Sequence, residues 1–94
     1  MTEQTAQSTV MIDNDRVRVT EWRFTPGTAT GQHRHELDYV VVPTTSGTLL
    51  IRSDAGESAN ELTLGVPYFR EAGAEHNVVN NSSEEIAFIE IELK

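Results

Sequence analysis

No stretch of this chain shows a convincing helical period with caps, and from residue 10 onward turn-forming residues divide it into short segments. Residues 16–24 are rich in β-branched and aromatic side chains and end at Pro26-Gly27. A second run, residues 37–42, stops at Pro43 and the turn Thr44-Thr45-Ser46-Gly47. Residues 48–52 follow, then a polar stretch, 53–60, around Gly56. Leu62 and Leu64 precede Gly65, residues 66–69 precede Gly73, and residues 76–79 lead into Asn80-Asn81-Ser82-Ser83. The last segment is the clearest strand. Ala87, Ile89, Ile91 and Leu93 alternate with Phe88, Glu90, Glu92 and Lys94, the period of two expected of a strand whose apolar side is buried. Many short strands with frequent turns predict an all-β sandwich or barrel.

With 94 residues there is room for one domain, over residues 10–94, behind a polar, unpatterned N-terminal arm at residues 1–9. A domain this small buries a modest core, so sheet closure or pairing into a homodimer should contribute to stability. There are no cysteines, which removes disulfides and thiolate ligands and leaves histidine and carboxylate as the strong metal ligands. Fifteen acidic against seven basic residues give a formal charge of −8. That balance repels phosphate backbones and anionic lipid, so neither nucleic acid nor membrane is expected as a partner. Apolar runs are far too short to span a bilayer. The N-terminal residues lack a basic region followed by an apolar one, so the expectation is a cytoplasmic protein.

Three histidines carry the strongest chemical signal. His33 and His35 are two apart, so on a strand both side chains point to one face. His76 lies at the start of another strand. Alone, the first two would read as partly exposed strand histidines. With the third, they can occupy one face of a coordination polyhedron and leave other positions open, as suits a reactive or ligand-binding metal better than a closed structural site.

The sequence here resembles the cupin superfamily. Gly27, His33 and His35 match the glycine, five residues, His-x-His that open its first motif, and Gly47 falls where that motif ends. Gly65, Gly73, His76 and Asn80 match the second motif in spacing. The stretches Tyr39-Val40-Val41-Val42-Pro43 and Tyr68-Phe69-Arg70-Glu71-Ala72-Gly73 are further similar to small cupins linked to β-alanine degradation. The resemblance implies a small jelly-roll β-barrel of two antiparallel sheets. It also implies a homodimer, and one divalent metal held by His33, His35 and His76. Two positions depart from the family. Tyr39 stands where a glutamate ligand is usual, and Glu71 replaces a proline. The remaining neutral three-histidine set resembles that of cupin thiol dioxygenases, and it favours Fe, Ni, Zn or Cu over Mn.

Tyr39 reads as a core aromatic or, sharing the parity of His33 and His35 in uninterrupted strand register, as the candidate catalytic residue whose hydroxyl reaches the metal, a bound water or a substrate. Glu36 and Asp38 have the opposite parity and should be solvated, unless a bulge turns Asp38 inward. Glu71 reads either as a turn carboxylate or as a partner that orients a histidine. Arg34 and Arg70 read as anion binders or as surface cations among acidic neighbours. Gly27, Gly47, Gly65 and Gly73 should supply unusual backbone angles, and Asn80 should tie its own turn together. Trp22, Phe24, Phe69 and Phe88 belong to the core or to a dimer interface. The function expected is a metalloenzyme acting on a small polar or carboxylate metabolite, with dioxygen as one potential co-substrate. The alternative is a non-catalytic module that binds or senses a small molecule.

Overall fold

The structure, a computed structural model, describes residues 4–94. The described strands are β1 (Gln4–Thr5), β2 (Gln7–Asp13), β3 (Val17–Phe24), β4 (Thr28–Ala29), β5 (His33–Arg34), β6 (Asp38–Pro43), β7 (Gly47–Ser53), β8 (Gly56–Leu62), β9 (Tyr68–Arg70), β10 (Glu75–Val79) and β11 (Ile86–Leu93). One sheet runs β1-β4-β10-β7-β8, with β5 also on β10; the other runs β2-β3-β11-β6-β9. Every pairing is antiparallel except β1 with β4.

Two points differ from the reading of the sequence. The sheets face each other as in a jelly roll but do not close into one hydrogen-bonded barrel. The linking segments hand the chain from one sheet to the other without continuing a ladder. The arm expected over residues 1–9 falls partly outside the described residues, but residues 4 and 5 and 7–13 are strand. Backbone pairing does not require an apolar pattern. The Ala6 N–H donates to Ala29 O at 2.9 Å, and β2 pairs with β3 along its length.

The core fills the closed end between the sheets. Phe24, Val41, Leu49, Leu62, Ile86 and Phe88 are buried there. Phe24 stacks on Phe88 at 5.7 Å between centroids and lies 6.2 Å from Trp22. Gly47 serves this packing and not a turn angle, because its φ is not positive. A Cβ at that position would sit 2.9 Å from Ile86 Cδ1.

Strand β11 is the spine of the second sheet, paired with β3 on one side and β6 on the other. Its facing is the reverse of the simple expectation. Phe88 lies level with Trp22 and Pro43, Glu90 with Thr20 and Val41, and Glu92 with Arg18 and Tyr39, and this side looks inward. Ile89, Ile91 and Leu93 look outward. A period of two identifies a strand but not which face meets the interior, because a cavity can require polar walls. On the outer face Ile12, Val19, Ile91, Val40 and Phe69 form one unbroken apolar row across five strands. Its ends, Ile12 and Phe69, are each 50% exposed.

Asn80 joins the turn before β11 to the rest of the fold. Its side chain is fully buried. Its Nδ2 donates to Phe24 O at 2.9 Å and Glu84 O at 2.8 Å, while its Oδ1 accepts from Ser82 N and Ser82 Oγ. Asn80→Ala strands these groups in a dry site and should cost about 2–4 kcal/mol of unfolding free energy. Exposed Asn81→Ala should change it by about 0.5 kcal/mol or less. Urea denaturation of both variants checks this; equal midpoints would show that the turn does not depend on the buried amide.

Candidate metal centre and cavity

The pairing of β5 with β10 places His33 directly opposite His76, so their side chains leave the sheet on one face as cross-strand neighbours. His35 lies just past β5 and is fixed by its backbone instead. The His35 N–H donates to Ala74 O at 2.8 Å, and the Gly73 N–H donates to His35 O at 2.7 Å. Gly73 has φ +104°, a conformation open to glycine at no steric cost. This double link holds the histidine over the turn that leads into β10.

The three rings meet edge to face, with centroids 4.8–5.0 Å apart. His35 Nε2 lies 3.1 Å from both His33 Nε2 and His76 Nε2. His33 Nδ1 sits 2.8 Å from Gly31 O. A carbonyl can only accept, so that nitrogen carries the proton and Nε2 presents its lone pair to the cluster. Three neutral rings cannot satisfy both short contacts by hydrogen bonds, because a protonated His35 Nε2 donates once and has no lone pair left to accept. A cation resolves the conflict. With metal–nitrogen bonds of about 2.1 Å, a separation of 3.1 Å subtends roughly 95°. That angle is one at which neighbouring imidazoles can share a single cation. Burial, with lesser contributions from the neighbouring rings, lowers the pKa of His35 and of His76 to about 4. Both are thus neutral, as ligation requires. The donor set fits a divalent metal, and these residues form a group that could hold one.

The histidines open onto a cavity of about 520 Å³ between the sheets, a volume suited to a small metabolite. Tyr39 lines it, though by a different route from the parity argument. The chain changes sheets between β5 and β6, so Tyr39 belongs to the opposite wall, where its ring stacks on His35 with centroids 4.1 Å apart. Burial is the largest cause that pushes the Tyr39 hydroxyl up to about 12, so it is a neutral phenol. Arg70 and Tyr68 sit on the same wall, the guanidinium 4.4 Å above the ring, and Tyr68 Oη accepts from Asn60 Nδ2 at 2.9 Å. Arg34 stands at the mouth, paired with Glu36 at 3.6 Å and Glu75 at 3.5 Å. Asp38 does not turn inward; its carboxylate accepts from Ala72 N at 2.8 Å. Glu71 is exposed and sits in the turn after β9.

Sequence reasoning missed the cavity's acidic wall. Glu92 is clamped by Arg18, Nε to Oε1 at 2.7 Å and Nη2 to Oε2 at 3.0 Å. Glu90 is only 8% exposed and lines the cavity one step further along the same face. Burial first, then Glu92 beside it, raises the Glu90 pKa to about 7, partly offset by a hydrogen bond from Trp22. The available signal was two glutamates alternating with isoleucines in an otherwise apolar strand.

No protein-family profile matches the chain. The β-alanine degradation protein BauB of Pseudomonas aeruginosa PAO1 is 55% identical over 89 residues, covering 95% of this chain and 94% of that protein. A cupin domain from Bordetella pertussis Tohama I, known as a crystal structure, is also 55% identical; it superposes with a TM-score of 0.97 over 100% of this chain and 98% of that one. The likeness extends to the fold of a polyketide cyclase, RemF of Streptomyces resistomycificus, at 22% identity and a TM-score of 0.74, covering 99% of this chain and 70% of the other. Two facing sheets, both histidine motifs and identity along nearly the whole chain agree: this is a member of the cupin superfamily, in the same group as BauB.

Proposed function

We propose that the protein is a metal-dependent cupin enzyme that acts on a small carboxylate or amino-acid derivative in β-alanine breakdown. The observation that carries this reading is the convergence of three Nε2 atoms on the wall of a cavity of metabolite size. The relative named for β-alanine degradation supports the pathway.

His33, His35 and His76 would hold the metal, with Fe, Ni, Zn or Cu favoured over Mn by an all-imidazole set. When bound, the metal supplies Lewis acidity toward a carbonyl or water, or in the case of iron a site for dioxygen. The protein's own part is positioning. Tyr39, stacked on His35, narrows the approach and offers a neutral hydroxyl to a small ligand. Arg70 places positive charge along the wall, where a carboxylate would pass, while Arg34 at the mouth is held between Glu36 and Glu75.

Metal analysis of the purified protein, then an assay of turnover and oxygen consumption, tests the reading. Turnover supports an enzyme; tight ligand binding without turnover supports the non-catalytic module. His35→Ala should lower metal affinity by at least about tenfold, read as metal content after dialysis. Tyr39→Phe should retain the metal and reduce activity or ligand affinity. If Tyr39→Phe loses metal as His35→Ala does, Tyr39 is itself a ligand.

We further propose that the protein works as a cytoplasmic homodimer, paired through the outer face of the second sheet. The row from Ile12 to Phe69 is what supports this, since a continuous apolar face of a sheet is a liability until covered. Light scattering at high micromolar concentration should give twice the chain mass, and Phe69→Glu should shift it to the monomer. A monomer mass for the unaltered protein would reject the pairing.

A further inference from the structure

The inner wall of the cavity contains a carboxylate that the metal site does not use. Glu90 points inward from the middle of β11, more than nine-tenths buried, and its nearest same-face neighbours along the strand are Phe88 and Glu92. Across the strands it lies level with Thr20 on β3, and with Val41 and then Tyr68 through β6 and β9. Trp22 donates a hydrogen bond to it from β3. The arginine that acts on it, Arg18, already has its guanidinium forked onto both oxygens of Glu92. Arg70 is one row away and stacks over Tyr68. Arg18 and Glu92 thus cancel, Arg70 lies over Tyr68, and among the described residues Glu90 has no ion pair of its own. Around it are the rings of Trp22, Phe88 and Tyr68.

A buried carboxylate in apolar, aromatic surroundings and lacking a cation of its own is the arrangement that recognises an ammonium group, through a charge-assisted hydrogen bond. The geometry points to an ammonium subsite formed by Glu90, Trp22 and Phe88, which makes the ligand a short molecule with a carboxylate or carbonyl at the histidine end and a primary ammonium at the other. The spacing agrees. The histidine end abuts the row of Tyr39 and Glu92, and Glu90 is two residues further along β11, about 7 Å on an antiparallel strand. Only a short chain of atoms, as in a β- or γ-amino acid, bridges that interval. The raised proton affinity of Glu90 agrees as well: of the charged or titratable groups around it, Glu92, Tyr39 and Tyr68 add no positive charge, and Arg18 is taken.

The identity of the ligand's other end rests on the metal reading above; the ammonium subsite itself does not. The test uses nickel-loaded protein, with metal content measured on the same sample, and calorimetric titration of β-alanine against propanoate. β-Alanine should bind more tightly by about tenfold or more, the range of a charge-assisted hydrogen bond in a buried site. Glu90→Gln should bring β-alanine down to the propanoate level and leave propanoate affinity and metal content unchanged, while Glu90→Asp should recover part of the preference. Equal affinities in the unaltered protein, a preference that survives Glu90→Gln, or no β-alanine binding by metal-loaded protein would each overturn the subsite. If the protein takes up no metal, the metal reading fails by itself. Propylamine against propan-1-ol on the metal-free protein then decides the subsite, with shifts of the Trp22 indole resonance expected for the amine alone.

Discussion

The short ladder between β5 and β10, with the double backbone link at His35, is the constraint on which the site depends. Side chains two positions apart share a face only while the strand continues, and β5 ends at Arg34. His35 is brought back toward its neighbours by the Gly73 and Ala74 peptide groups, not by strand geometry. A turn with glycine in a left-handed conformation therefore sets the position of the third histidine. The cost of holding three imidazole nitrogens close together is electrostatic. At His35 and His76 burial favours the neutral ring, the form that can ligate a cation.

The second sheet separates two tasks by its two faces. Outward, valine, isoleucine and phenylalanine line up in register to make an apolar surface. Inward, the same strands supply Phe88 to the core, then Glu90 and Glu92 to the cavity wall. The core occupies one end of the space between the sheets and the histidines the other. Tyr39 joins them, stacked on His35 from the opposite wall. Tyr39 in place of the family's usual glutamate removes a negative charge from beside the histidines, while two acidic groups, Glu92 in the row of Tyr39 and Glu90 one step along, line the cavity from β11. A metal held at the histidine end would set positive charge in the same cavity as the Glu90 carboxylate, a combination that favours dipolar ligands.

Much of this was legible in the residues. Frequent turns predicted β-structure, and two histidine motifs in order predicted both the sheets and the meeting of the three histidines. Asn80 was rightly read as a tie, although its reach to Phe24 O, across to β3, depends on packing that no local pattern encodes. The facing of β11 was not legible, because alternating isoleucine and glutamate look the same whichever side is covered. Only the level of Phe88 with Trp22 and Pro43 decides it. Tyr39 was placed correctly for the wrong reason, since parity ceases to mean anything where the chain changes sheets. Gly47 was assigned a turn angle, whereas its small size against Ile86 is what matters.

The central claim is that one metal is held by three imidazoles on a partly open site. X-ray absorption at the nickel edge of stoichiometrically loaded protein reads this directly. The account predicts three imidazole nitrogens at about 2.0–2.2 Å, with the multiple scattering of intact rings, and further light-atom ligands from solvent filling a six-coordinate shell. Two imidazoles or fewer, or a closed four-coordinate shell without solvent, would contradict it.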